Sequence, residues 1–326
     1  MKNRRNFLKS SLALAGAAAV SVTAGVSGEK TTWGAENAKN TENEEETCVK
    51  KADVSRIALN TATIMHYHLP LLEQIRVAHE AGFRNLEIWF NDLDAWLAEG
   101  GKLPELRSRL DDLDMKIVGG INFFPWAVPE KEPRRKAVAD MRSGMEKMRV
   151  LGCSNFAAAP AGIYSRTDIS LAELADRYRA ILVMGEEFGV FPQLEIWGGA
   201  KTLSRLSDAV WVATETVHPR ASLLLDVYHL YRGGNDYTSL KQLNGAQMTN
   251  FHWNDWPGGI EREALKDGDR VFPGDGVAPF VFIRKTLAEI GYQGTFSLEI
   301  FNKTYCETYT PVELLKIAYE KMKRAV

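Results

Sequence analysis

Cysteine is scarce in this sequence, which has three cysteines in 326 residues, at positions 48, 153 and 306. None of the three has the spacing of a zinc motif. Cys153 opens an apolar segment, a setting in which a buried free thiol is common. We therefore predict neither a disulfide nor a cysteine-based zinc site.

The chain also lacks an excess of charge of either sign. Its formal net charge is -2 and its pI is about 6.4, so it has no general attraction for nucleic acid or for an anionic membrane surface. With 45% hydrophobic residues, the chain is long enough for one large α/β domain or two ordinary ones. We expect no nucleic-acid partner, and the bulk composition indicates no substrate.

The N-terminal apolar run, residues 10–26, is not suited to a stable membrane span, because it is too short and too rich in alanine, serine and glycine. It follows Arg4 and Arg5 in a charged start with the pattern Arg-Arg-x-Phe-Leu-Lys. This combination predicts a twin-arginine signal peptide over residues 1–27, with an uncleaved anchor or a chance basic start as the alternatives. The protein would then be exported to the periplasm or another extracytoplasmic location.

Residues 28–53 have few large apolar side chains and many glutamate, asparagine, lysine and threonine residues. Such a segment cannot bury enough apolar surface to fold by itself. We therefore predict a disordered linker over residues 28–53 and a folded domain over residues 54–326.

From Val54 onward, a short apolar strand followed by an amphipathic helix recurs eight times. The predicted strands cover residues 57–64, 85–90, 116–123, 155–159, 191–197, 221–227, 247–253 and 294–300. The predicted helices cover residues 70–81, 92–113 with a break near Gly100, 133–151, 170–188, 203–217, 237–243, 279–290 and 311–323. Eight such units in order predict an α/β protein, a single-domain (β/α)8 TIM barrel.

The last four of the eight predicted strands each end at or near a residue that can bind a metal. These residues are Glu195, Asp226, His252 and Glu299, spaced 31, 26 and 47 residues apart. A buried parallel strand is a continuous apolar run, and a carboxylate there is costly unless it is paired or bound to a cation. An ion pair or a hydrogen bond to a loop could explain any one of the four. Four in succession favour one metal site, since barrel strands end at one common mouth.

Three carboxylates and one imidazole form an oxygen-rich ligand set that suits Mn²⁺, Mg²⁺, Co²⁺ or Zn²⁺. Four protein ligands to one divalent ion leave positions for two substrate oxygens. A metal in this arrangement can polarise a carbonyl next to a hydroxyl. We therefore expect a small-molecule carbohydrate as the substrate.

From Val54 to its end, the chain resembles the sugar phosphate isomerase/epimerase superfamily. These xylose-isomerase-like TIM barrels include ketose 3-epimerases, hydroxypyruvate isomerase and inosose dehydratase. The resemblance is carried by Leu194 and Glu195, residues 226–229, Phe251 and His252, residues 270–276, and residues 297–299. The sequence shows no strong phosphate cradle, so the substrate need not be phosphorylated.

The resemblance implies that Glu195, Asp226, His252 and Glu299 hold one divalent metal, and that Glu195 and Glu299 exchange the substrate proton. It also implies that His229 and Arg270 contact substrate oxygens. The ketose 3-epimerases have a second glutamate six residues after the first, where this chain has Lys201. Lys201 is therefore a further candidate for substrate contact, and the difference puts an epimerase substrate in doubt.

Other residues near predicted strand ends are candidates as well. His66 and His68 follow the first strand and either contact substrate or are ordinary loop histidines. Trp126 and the neighbouring aromatic residues could stack on a sugar or simply pack. Glu87 on the second strand is expected to pair with an arginine or lysine rather than to orient substrate.

The predicted function is a metal-dependent isomerase or epimerase that removes a proton beside a polarised carbonyl of a sugar or keto-sugar and forms an enediolate. A lyase or dehydratase acting on a keto-sugar or a 3-keto-glycoside would begin with the same step. A non-catalytic sugar-binding protein is a third alternative, although it would not need two glutamates beside a metal. Metal analysis of protein purified without chelator distinguishes the third alternative from the others.

Overall fold

The computed structural model describes residues 53–326, and within them eight parallel strands form one barrel with helices on its outside. The predicted signal peptide, residues 1–27, lies outside the described residues, as does the predicted linker except for its last residue. Among the described helices, none combines the length and the apolar character needed to cross a membrane. The prediction of a (β/α)8 barrel is confirmed.

The strands are short and almost entirely buried, because helices cover one face and the barrel interior covers the other. Hydrogen-bonded neighbours follow the order β3, β2, β1, β8, β7, β6, β5, β4. The strands are β1 Ile57–Asn60, β2 Asn85–Trp89, β3 Lys116–Ile121, β4 Asn155–Ala158, β5 Phe191–Glu195, β6 Leu223–Asp226, β7 Asn250–Trp253 and β8 Thr295–Leu298.

The helices alternate with these strands and bury an apolar face against them. They are α1 Leu71–Ala81, α2 Phe90–Ala98, α3 Leu103–Asp112, α4 Lys131–Val150, α5 Leu171–Glu186, α6 Leu206–Glu215, α7 Val227–Arg232, α8 Phe280–Glu289, α9 Lys303–Thr308 and α10 Pro311–Ala325. In α10, Thr310 and Glu313 form a capping box that satisfies backbone donors at the start of the helix.

The barrel register brings the ends of β6, β7 and β8 to one level. Asp226 lies opposite His252, and His252 lies opposite Ser297, two residues before Glu299. On the other side, the side-chain amide of Asn122 donates to the carbonyl of Ala157 at 2.9 Å and links the β3 and β4 sides of the barrel. The carboxyl ends of the strands therefore form a ring around the mouth of the barrel.

Several predicted element boundaries differ from the structure. Strand β1 ends at Asn60 rather than at residue 64, because the Asn60 side chain accepts a hydrogen bond from the Ala62 amide and caps a 3-10 helix over Thr61–Tyr67. The predicted break near Gly100 is confirmed, since α2 ends at Ala98 and α3 begins at Leu103. Helices α7 and α9 were not predicted.

Candidate active site

The four predicted metal ligands lie where the barrel mouth requires them. Glu195 and Asp226 are the last residues of β5 and β6, His252 lies in β7, and Glu299 follows β8. All four side chains are buried, and Asp226 and His252 have no exposed surface. Burial of four titratable groups in one place requires strong mutual compensation.

Three of the four form a compact group. One potential ligand atom from each of Asp226, His252 and Glu299 lies within 4.8 Å of the other two. The His252 Nδ1 atom is 3.2 Å from Glu299 Oε2 and 3.6 Å from Asp226 Oδ2. Glu195 is not part of this group, although its Oε2 atom is buried and has no hydrogen-bond partner among the described residues.

Glu87 on β2 orients the imidazole of His252 from across the barrel. Its Oε2 atom lies 2.9 Å from His252 Nε2 and also accepts hydrogen bonds from Asn60 and Ser297. We therefore assign a proton to Nε2, which directs Nδ1 towards the two carboxylates. The partner of Glu87 is a histidine, so the prediction of an arginine or lysine partner was wrong.

Asp226 has two roles that use its two oxygens. Its Oδ1 atom accepts a hydrogen bond from the His229 backbone amide at 2.8 Å and so caps α7. Its Oδ2 atom faces the cluster and accepts a hydrogen bond from the Asn254 side chain at 2.9 Å. Because α7 starts directly at the end of β6, the strand end and the helix cap are the same residue.

Arg270 supplies a fully buried positive charge to the same cluster. Its Nη1 atom donates to Asp226 Oδ2 at 3.1 Å and to Glu299 Oε2 at 2.8 Å. Its Nη2 atom donates to Asp267 and lies 3.1 Å from His229 Nε2. The structure thus places both predicted substrate contacts, His229 and Arg270, beside the predicted ligands.

The charges of the cluster shift the pKa values of its members. Burial raises the pKa of Glu195 to about 8; His252 opposes this shift and the Glu299 carboxylate adds to it. Burial would also raise the pKa of Asp226, but the Arg270 guanidinium prevails and holds it well below its usual range. One carboxyl group of the site is therefore able to carry a proton at neutral pH.

His252 titrates in the opposite sense. Burial lowers the pKa of its imidazole, but the carboxylates of Glu299 and Glu87 prevail and raise it well above its usual value. A divalent ion at Nδ1 would take the place of the second imidazole proton.

These residues fit a divalent cation. Two carboxylates and one imidazole are a donor set that Zn²⁺, Mn²⁺ and related ions accept. The buried His252 Nδ1 atom lies beside both carboxylates yet has no hydrogen-bond partner among the described residues. A ligating histidine whose other nitrogen is bonded to a carboxylate is the usual arrangement in metal sites, and Glu87 provides that carboxylate.

A cavity of about 970 Å³ opens above this cluster. Glu195, Glu299, His229 and Arg270 all line it, so the predicted proton pair and the predicted substrate contacts share one accessible space. Aromatic side chains form much of the remaining lining: Trp89, Phe123, Tyr164, Trp197, Tyr228 and Phe301.

The other predicted substrate contacts lie outside this lining. Lys201 is exposed and lies two residues beyond Gly199, which lines the cavity, and His68 is exposed in the loop after β1. His66 Nε2 is 3.3 Å from the Phe301 carbonyl. For Lys201, His66 and His68, contact with substrate stays a prediction.

Trp126 is placed differently. Its side chain is 1% exposed, and its indole N–H donates to the Ala159 carbonyl at 2.8 Å. The ring packs at 6.0 Å from Tyr178, between centroids, and it does not line the cavity. In this structure Trp126 belongs to the core, and the alternative of plain packing fits it better than sugar stacking.

Three site residues were missed or misassigned from the sequence: Asn60, Glu87 and Asn254. Each is a polar residue in or next to a buried strand, which is the signal that identified the four ligands. Asp255 is different, because its carboxylate accepts hydrogen bonds from the amides of residues 256, 274, 276 and 278 and holds a loop. It does not contact His252 through any of these bonds.

The family described as Xylose isomerase-like TIM barrel matches residues 75–325, which is more than half of the chain. A solved structure of the IolI protein with a binding zinc atom superposes with a TM-score of 0.77 at 22% identity. That superposition covers 83% of this chain and 98% of the other. The structural likeness concerns the fold, and the family match extends over nearly the whole barrel.

Relatives with named activities include a putative hydroxypyruvate isomerase of Streptomyces coelicolor, 25% identical over 73% of this chain and 88% of its own length. An inosose isomerase of Bacillus velezensis is 28% identical over 59% of this chain and 69% of its own. Other relatives carry the names fructoselysine 3-epimerase, in Escherichia coli O157:H7, and 3-dehydroshikimate dehydratase, in Pseudomonas aeruginosa. The chain covers 36% of the dehydratase.

Proposed function

Because the chain belongs to the xylose isomerase-like TIM barrel family, we propose that it is a divalent-metal-dependent isomerase or epimerase of a sugar or keto-sugar. The observation that carries this proposal is the convergence of Asp226, His252 and Glu299, whose two carboxylates lie 3.6 and 3.2 Å from the buried Nδ1 atom of His252. Relatives named as isomerases and epimerases support the reaction class.

In this proposal Asp226, His252 and Glu299 hold the metal, and Glu195 is the fourth ligand predicted from the sequence. The ion would be Mn²⁺, Mg²⁺, Co²⁺ or Zn²⁺, and when bound it would polarise a substrate carbonyl and favour loss of the neighbouring proton. Glu87 keeps the Nδ1 atom of His252 directed into the site.

Glu195 and Glu299 move the proton. Both line the cavity, and they lie at the ends of β5 and β8 with β6 and β7 between them, so they approach substrate from different strands. The raised pKa of Glu195 is consistent with one glutamate holding a proton while the other accepts one. Return of a proton to the opposite face of the same carbon gives an epimer, and its return to the neighbouring carbon gives an isomer.

His229 and Arg270 orient substrate oxygens. Both line the cavity, and each is held by a neighbouring residue: the Gly198 amide donates to His229 Nδ1 at 3.3 Å, and Asp267 accepts from Arg270. Both residues border the space where the substrate enediolate would develop negative charge.

A lyase or dehydratase is the second candidate, and the relative named 3-dehydroshikimate dehydratase favours it specifically. The first step would be the same proton removal by a glutamate. The two candidates diverge afterwards, since the lyase expels a leaving group from the β-carbon where the isomerase returns a proton. A sugar-binding protein without activity is the third candidate.

Solvent-deuterium exchange tests the proposal. Protein would be purified without chelator, stripped with EDTA and reloaded with Mn²⁺, then incubated in D₂O with free ketoses and with 3-keto-glycosides. We expect deuterium beside the carbonyl by NMR in the reloaded sample and not in the stripped one, with the products separating isomerase from lyase. Equal exchange in the stripped and the reloaded samples would contradict metal dependence, and no exchange with any of the sugars would favour a binding protein.

We also propose that residues 1–27 direct export by the twin-arginine route, as the sequence predicts. Fused to a reporter that functions only after this export, residues 1–30 should give a signal that Arg4→Lys together with Arg5→Lys abolishes. Undiminished export of the double variant would refute the proposal.

A further inference from the structure

One side of the cavity is a continuous aromatic surface, which we call the aromatic wall: Trp89, Phe123, Tyr164, Trp197 and Phe301. Neighbouring rings meet edge to face or tilted. The centroid distances are 5.3 Å between Trp89 and Phe123, 5.4 Å between Phe123 and Trp197, 6.2 Å between Trp197 and Tyr164, and 6.3 Å between Trp89 and Phe301. The wall therefore extends beyond the dimensions of a single ring.

The wall is assembled from five separate strand-to-helix connections and is held in place. Trp89 ends β2, and its indole N–H donates to Asn60 Oδ1 at 2.9 Å. At Gly199 a Cβ atom would meet the Tyr164 hydroxyl, so the glycine leaves room for that ring in its position beside Trp197. The rings thus form a prearranged surface.

Parts of the wall are more exposed than large apolar side chains usually are. Phe123 is 51% exposed and Tyr164 is 46% exposed, and both line the cavity. Contiguous exposed apolar surface of this kind commonly marks a binding site. A ligand ring stacked on the wall would shield this apolar surface from water.

The cavity lining also has a charged part. Arg232, Glu263, Lys266 and Asp267 form it, and Arg232 holds the segment by donating to the Leu265 and Glu263 carbonyls. The cavity of about 970 Å³ is at the upper end of the range of about 300–1,000 Å³ for sites that enclose drug-sized ligands. The group of Asp226, His252 and Glu299 spans only 4.8 Å between ligand atoms.

We propose that the site takes a keto-sugar that carries a second ring, with the reacting sugar on the buried cluster and the second ring on the aromatic wall. This inference rests on the proposed function and adds the substrate class to it. The second ring is either an aromatic aglycone or another sugar, because both present a flat apolar face to the indole and phenyl rings.

Binding measurements test this without any turnover. The full chain, loaded with Mn²⁺, would be titrated calorimetrically with methyl β-glucoside, phenyl β-glucoside and cellobiose. We expect at least one of the two-ring probes to bind about tenfold more tightly than the methyl glycoside, the scale of one favourable ring contact. Preference for phenyl β-glucoside identifies an aromatic aglycone, and preference for cellobiose identifies a second sugar.

Phe123→Ala should remove this preference and leave the affinity for the methyl glycoside within about twofold of that of the unaltered protein. Trp211→Ala is the matched control, since Trp211 is an exposed aromatic residue on α6 outside the cavity lining. Equal affinity for all three probes, or an undiminished preference in Phe123→Ala, would overturn the proposal. These measurements record binding and no step of the reaction. A negative result would therefore overturn the two-ring substrate without deciding the proposed function, which the deuterium-exchange experiment tests.

Discussion

The two ends of the barrel carry polar residues of different kinds. At the amino ends of the strands the buried polar groups are amides: Asn85, at the start of β2, donates to the carbonyls of Ser55 and Ile57 at 2.7 and 2.9 Å. At the carboxyl ends charged groups join the amides, and Glu87, His252 and their neighbours, Asn60 and Asn254 among them, bond to one another's side chains. An amide that satisfies backbone carbonyls supports the fold, whereas a buried charged cluster costs stability and indicates function.

The largest effect should come from the charged end, at the two glutamates that we propose transfer the proton. Glu195→Gln and Glu299→Gln are nearly isosteric, and each should reduce turnover by about 10²-fold or more, the usual scale of general acid–base catalysis. Steady-state kinetics on the sugar that passes the exchange test would measure this. Exchange at the wild-type rate in Glu299→Gln with turnover lost would show that Glu195 alone removes the proton.

Glu87→Gln should have the next largest effect. The variant weakens the hydrogen bond that orients His252, so we expect metal affinity to fall by about 10–100-fold, as is typical for partners of ligating histidines. Calorimetric titration with Mn²⁺ would measure it, with Glu73→Gln on the exposed face of α1 as the control. Unchanged affinity in Glu87→Gln would remove Glu87 from the site.

Asn85→Ala probes the amide end and should show the converse pattern. It removes the two hydrogen bonds from the side-chain amide to backbone carbonyls, so we expect a loss of about 1–3 kcal/mol in the free energy of unfolding. Urea denaturation would measure this loss, and the Mn²⁺ affinity of the folded variant should match that of the wild type. If Asn85→Ala lost metal affinity but no stability, the assignment of a structural role to the amino ends of the strands would be contradicted.

The smallest effect is expected in the outer layer of helices. Thr310→Ala removes one half of the capping box of α10 and should cost about 0.5–2 kcal/mol of stability. Thermal unfolding would detect it, and catalysis should be unaffected because α10 lies outside the cavity lining. Thr310→Ser, which keeps the hydroxyl, should restore most of the loss.

The sequence predicts the barrel well because its signals are local. Continuous apolar runs and the break near Gly100 identify the strands and most helices to within a few residues, although the helix predicted over residues 237–243 is a 3-10 helix over Tyr237–Gln242. The same logic finds Asp226, His252 and Glu299, since a charged residue at the end of such a run is conspicuous. Helix α7 escaped prediction because its cap, Asp226, is also the last residue of a strand.

What the sequence does not reveal depends on contacts across the barrel. Glu87 and His252 lie on β2 and β7, which are not neighbours in the sheet. Their spacing along the chain therefore does not predict the hydrogen bond between them. Burial is equally hidden: Trp126 and Phe123 are three residues apart in one loop, yet one is 1% and the other 51% exposed. Only the packing of the loop makes Trp126 a core residue and Phe123 an exposed residue of the cavity lining.

Metal binding is the most direct test of the central claim, that the cluster of Asp226, His252 and Glu299 holds a divalent ion. Elemental analysis of protein purified without chelator should find one equivalent of metal in the wild type. Asp226→Asn and His252→Ala should each lose the bound metal while keeping the circular dichroism of a folded barrel. Their metal affinity should fall by more than the roughly 10–100-fold expected for a residue such as Glu87, which contacts a ligand but not the metal. Wild-type metal content in both folded variants would contradict the claim.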